Sequence, residues 1–161
     1  MNSTATVFRL GDDAADKQYR TILSFDTGQL PNNAVITKAT IKIKLQSVVG
    51  TDPFTTHGAL FIDIHTGSFS GNPALDLGDF KVAASMNSAG TIPNTPVSNW
   101  YSKNLSGTAI TYINKTGRTQ FRLRFQYGDN DDLGADYLKF YSGDHANAAV
   151  RPTLVIEYYV P

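Results

Sequence analysis

The chain has no cysteine among its 161 residues, which excludes disulfides and thiolate metal centres. Charge is scarce as well. Asp, Glu, Lys and Arg make up 17% of the residues, and they cancel to a formal net charge of zero. A chain of this kind has no global electrostatic pull toward nucleic acid or an anionic membrane surface. No apolar run approaches the length of a membrane span. Met1-Asn2-Ser3-Thr4 carries neither the charged nor the apolar part of a secretory signal. Catalytic signatures are lacking too: there is no Gly-x-Ser-x-Gly elbow, and His57, His65 and His145 share no metal-ligand spacing. The expectation is a protein that is not an enzyme, although a triad assembled from distant residues escapes any test by spacing.

What is present is a period of two. Arg20 to Leu45 reads as two core strands joined by the Gly28-Gln29-Leu30-Pro31-Asn32-Asn33 break. Ile41, Ile43 and Leu45 alternate with Lys42, Lys44 and Gln46, which is the pattern of a half-buried antiparallel strand. Thr119 to Tyr127 repeats it, with Phe121, Leu123 and Phe125 expected inward and Arg122 and Arg124 outward. Further strands are expected at 6–10, from about Tyr19 to Asp26, over 35–46 with a bend at Lys38-Ala39, and at 58–65, 100–105, 136–142 and 153–160. The stretch 66–95 is rich in Gly, Ser, Asn and Pro, and it offers only a brief pairing at 80–84. Residues 107–114 leave room for one helical turn. Short strands separated by turn signals predict an all-β fold, a two-sheet antiparallel β-sandwich over 1–161, with jelly-roll topology preferred.

Three segments together resemble the DNRLRE domains, also called disaggregatase-related repeats. The first is Arg20 to Leu45, with its arginine, Phe25-Asp26 and Leu30-Pro31. The second is Trp100-Tyr101 followed by Ile113 to Phe125, and the third is Asp136 to Pro161 with Tyr141-Ser142 and Arg151-Pro152. The resemblance implies a jelly-roll module, non-catalytic, found in large secreted bacterial and archaeal proteins and related to carbohydrate-binding modules, including ones for alginate. The chain departs from that pattern at its start, where only Thr6 to Leu10 precedes Tyr19 and the family's opening Asp-aromatic strand is missing. Low charge with abundant Thr, Ser, Asn and Gly agrees with an extracellular or cell-surface location. The segment is accordingly expected to be excised from a longer secreted protein, or to be its C-terminal module.

Four groups of residues carry candidate chemistry. Asp129, Asp131 and Asp132 crowd hard oxygen ligands into a Gly-bounded turn, the chemistry of calcium, here in a structural role. Leu133 and Phe140 stand where a helix-loop-helix calcium site needs ligands, and a solvated hairpin turn uses the same residues. Lys42, Lys44, Arg122 and Arg124 on a shared face would bind the carboxylates of an acidic polysaccharide; on separate sheets they are ordinary outward residues. Tyr101 and Tyr141 are expected to be exposed for stacking on sugar rings, and Trp100 to be core. His65 is expected on an outward strand face and His57 and His145 in loops, while Arg151 is expected to pair with Asp26 or Asp144. The functional expectation is an extracellular carbohydrate-binding module whose partner is a polysaccharide or cell-surface glycan. Its rival is an adhesive or structural domain, or a filament subunit, that self-associates or joins neighbouring domains through sheet edges or termini.

Overall fold

The computed structural model describes residues 1–161 and contains ten strands: β1 (Val7–Asp12), β2 (Gln18–Tyr19), β3 (Thr21–Asp26), β4 (Val35–Val49), β5 (Leu60–Thr66), β6 (Met86–Ile92), β7 (Trp100–Asn104), β8 (Arg118–Phe125), β9 (Asp136–Tyr141) and β10 (Thr153–Tyr159). They form two antiparallel sheets. One has the order β2-β1-β9-β4, with β7 and β10 also paired to β4; the other has the order β3-β8-β5-β6. Both β7 and β10 pair with Thr40 to Lys42, so they must lie on opposite sides of β4. The orders β1-β9-β4-β7 and β3-β8-β5-β6, with the chain crossing repeatedly between them, give the expected jelly roll.

Alternation explains the core. Ile41, Ile43, Phe121, Leu123 and Phe125 are buried in one cluster with Leu60, Ile62, Ile64, Leu138 and Phe140, and half-buried Leu45 packs against it. These aliphatic and aromatic side chains pack well on a pleated surface, and the residues between them point to the opposite faces.

Local details depart from expectation in four places. The stretch 66–95 contains a full strand, β6, whose Met86-Asn87-Ser88-Ala89-Gly90 has no aliphatic period to announce it. The pairing expected at 80–84 is absent, and Gly78–Phe80 is a 3₁₀ turn instead. β4 runs unbroken past Lys38-Ala39, but its pairing with β10 slips register beside Lys38, between Glu157 and Tyr158, and its pairing with β9 slips again between Leu45 and Ser47. Arg151 pairs with neither aspartate and donates from Nε to the His145 carbonyl at 2.7 Å. The helical turn allowed within 107–114 is a 3₁₀ segment, Ala109–Tyr112.

Candidate functional site

The outer face of the six-stranded sheet brings together Lys42 and Lys44 of β4 with Trp100 and Ser102 of β7. Direct cross-strand pairing sets Lys44 opposite Trp100 and Lys42 opposite Ser102. The residue that places the indole is the turn before it. Val97 and Trp100 exchange two backbone hydrogen bonds across Ser98 and Asn99, whose φ angles of 50° and 66° belong to a type I′ hairpin turn. The Leu45 amide then donates to the Asn99 carbonyl at 2.8 Å and fastens this turn to β4.

Trp100 is half-buried, not core as expected, because the core position of β7 goes to its neighbour. Tyr101 is 4% exposed, stacks on Phe54 with centroids 5.9 Å apart, and meets Phe140 edge-on at 5.5 Å. Adjacent strand residues face opposite ways, and the parity is the reverse of the one expected. Burial, with Asp52 nearby, pushes the Tyr101 phenol up from its ordinary pKa. Tyr101 is therefore removed from the ligand-facing set.

A shallow groove of about 560 Å³ runs over Trp100, lined by Lys42, Ser102 and the loop residues Pro93, Thr95, Val97 and Ser98. The Lys44 ammonium lies 5.6 Å from the centroid of the indole ring, and neither Lys44 nor Lys42 pairs with a carboxylate. Tyr141 follows Phe140, the partner of Leu45, so pleat alternation directs it to the same outer face on the β9 side of β4. It is half-buried, with the His145 ring edge-on at 4.7 Å. Trp100 and Tyr141 thus share the outer face of the two free lysines, on opposite sides of β4.

Arg122 and Arg124 are not part of this face. They lie on the outer face of the other sheet, and that face is covered by residues 67–82. Phe69 donates its amide to Gln120 Oε1 at 2.8 Å and sets its ring 4.8 Å from the Arg122 guanidinium. Arg122, 4% exposed, donates to Asp63 Oδ2 and to the carbonyls of Asp79 and Val82 at 2.8–3.1 Å. Arg124 forks onto both oxygens of the same carboxylate at 2.9 and 3.2 Å. Arg20 closes the group, its guanidinium 4.2 Å from the Phe80 ring and bonded to the Phe80 carbonyl. Burial alone would raise the Asp63 carboxyl; hydrogen bonds from Arg124, the Ser88 amide and Arg122 hold it below the ordinary carboxylate range. The outward arginines expected to bind carboxylate ligands are instead an internal brace, with Arg122 buried and Arg124 half-buried. His65 does face outward on β5, but beneath this cover, its ring 5.0 Å from Phe69.

The acidic turn lies at the surface. Asp129, Asp131 and Asp132 are exposed, and Asp132 spends its carboxylate on the Gly134 amide and the Asn130 side chain. The cluster that does converge is Asp12, His57 and Asp136, all buried, with ligand atoms within 4.8 Å of one another. His57 is thus a core residue, not a loop histidine. Spacing along the chain could not reveal this trio, since its members come from β1, the turn after Pro53–Thr56, and β9. The one hint available was an aspartate at the boundary of each of two strands. No protein-family model and no curated protein matches this chain.

Proposed function

We propose that this chain is a non-catalytic carbohydrate-binding module of an extracellular or cell-surface protein, and that the groove over Trp100 takes an acidic polysaccharide. The observation that carries this reading is the half-buried indole beside two unpaired lysines on one sheet face. The apolar face of a sugar ring stacks on an indole, as on Tyr141 farther along the same sheet. Lys42 and Lys44 supply point charges for uronic carboxylates, without the fixed fork that an arginine would impose. The likeness of three segments to DNRLRE domains supports the same class.

Affinity electrophoresis against a uronic-acid polymer and a neutral polysaccharide tests this. Trp100→Ala is expected to weaken binding at least about tenfold, equivalent to about 1.4 kcal/mol. Lys42→Ala and Lys44→Ala are expected to weaken the acidic polymer alone and to flatten its salt dependence, because exposed charges are screened over about 10 Å at about 0.1 M salt. Melting temperatures of the lysine variants should stay at the wild-type value. Failure of wild-type protein to retain either polymer at low salt would end this reading.

A second reading, an adhesive or assembling domain, is favoured by one feature. β10 pairs only with β4, so its other edge is open, and Val155, Tyr158, Tyr159 and Val160 near it are exposed. An open edge with apolar side chains is a template for strand addition. Light scattering should then show association that rises with concentration, and Val155→Lys should abolish it. A monomer at every concentration removes the self-association form of this reading.

A further inference from the structure

The buried Asp12–His57–Asp136 cluster has the wrong chemistry for an ordinary core and the right one for a cation. Asp12 and Asp136 are direct cross-strand partners in β1 and β9, with exposures of 0% and 2%. Like charges placed opposite one another across a ladder repel, and burial without a counter-charge deepens the cost. No lysine or arginine pairs with either of them.

Hydrogen bonding does not resolve the cluster. His57 Nε2 lies 3.1 Å from Asp12 Oδ2, yet neither atom makes an aligned hydrogen bond, and Asp12 Oδ1 has no partner either. The other ring nitrogen, Nδ1, is 2.7 Å from the Thr56 hydroxyl. When Nδ1 donates there, Nε2 presents its lone pair to the carboxylates, which is how metal-ligating imidazoles are oriented. Asp136 is half engaged: Oδ1 accepts from the Thr51 amide at 2.9 Å and Oδ2 from Asn130 Nδ2 at 3.2 Å. The Asn130 side-chain oxygen is buried beside this pair with no donor. Asp12 and His57 thus bring unpartnered atoms to a place where one ligand atom from each of Asp12, His57 and Asp136 lies within 4.8 Å of the others.

The backbone is shaped to hold the ligands there. Gly50, at φ +69°, presses so close to the chain that a Cβ would come within 1.5 Å of the Ala135 carbonyl oxygen. Gly11, at φ +126°, is held as tightly against Asp136, where a Cβ would lie 2.0 Å from its carbonyl oxygen. Only glycine permits both approaches. His57 is fixed by its amide on the Pro53 carbonyl at 2.7 Å, by the Tyr127 amide on its own carbonyl, and by the Phe125 ring at 6.0 Å.

We propose that Asp12, His57 and Asp136 form a divalent transition-metal site that ties the 50–58 loop to β1 and β9. One imidazole nitrogen with two carboxylates suits zinc or manganese, whereas calcium takes oxygen ligands alone. The site is distinct from the Trp100 groove and does not depend on what that groove binds.

The test uses chelator-treated protein and zinc. Equilibrium dialysis should find one zinc per chain, and the melting temperature should climb with the logarithm of zinc concentration, as for an ion that binds only the folded state. Calcium should give neither effect. Asp12→Asn and His57→Gln should lose the bound equivalent, while His145→Asn, which alters a half-buried histidine outside the cluster, should keep it. If the buried variants do not fold, cobalt added to wild-type protein locates the ion instead: paramagnetic shifts should be largest for amides of residues 11–13, 50–57 and 135–137. Zinc that leaves the melting curve unchanged, zinc retained by both buried variants, shifts centred on His145, or stabilisation by calcium alone would each overturn the proposal.

Discussion

Replacing Asp63 by alanine is expected to destabilise the fold by about 3–5 kcal/mol, the cost of breaking a buried ion pair by deleting one partner. Asp63 is the single carboxylate serving two guanidinium groups, with its side chain fully buried beneath residues 67–82 and Arg122 almost so. Its loss would leave Arg122 held only by the carbonyls of Asp79 and Val82 and by the Phe69 ring. The 67–82 cover should loosen first, because those carbonyls belong to it. Urea unfolding followed by circular dichroism gives the stability. Amide exchange at Phe69, whose amide sits on Gln120, gives the local effect.

The same carboxylate predicts a pH dependence. Its folded pKa is held below the unfolded carboxylate value of about 3.9. The stability it contributes is thus fully present above that unfolded value and is lost as pH falls through the lower folded one. Compared with Asp63→Asn, the wild type should have its largest stability advantage at neutral pH. That advantage should narrow only below about pH 4, near the unfolded carboxylate value. A gap that closes well above this range would show that the arginines do not hold the carboxylate.

Leu123→Ala is expected to cost about 2–5 kcal/mol, the range for emptying a leucine site in a packed core. Leu123 is fully buried between the sheets, paired across to Thr21 and Ile62, and its neighbours Phe121 and Phe125 are too bulky and fixed to collapse into the space. Lys42→Ala, also on a central strand but on an outer face, should change the urea midpoint little. A small effect of Leu123→Ala would remove that position from the core.

Alternation made the sandwich legible because strand periodicity is a local property. Once a segment pleats, Ile41 and Ile43 must share one face and Lys42 and Lys44 the other, whatever lies across the sheet. The same logic correctly opposed Leu123 to Arg122. It could not tell that both faces of β8 are covered, since the cover comes from residues some forty positions away and is fastened by carbonyls, which every residue type carries. Nor could it choose between Trp100 and Tyr101, where both neighbours are aromatic and only register against Lys44 and Ile43 decides which turns inward.

By itself, then, the chain's composition and period of two determined an all-β sandwich without thiol chemistry, together with most of its strands and its inner faces. The tertiary structure alone decided which polar residues are free. Lys42 and Lys44 stand beside an open indole, whereas Arg122 and Arg124 are consumed by Asp63. It alone brought Asp12, His57 and Asp136 within reach of one another. The physical reason is the same in each case: burial and pairing depend on which distant segments meet, and a periodic pattern records only which way each side chain points.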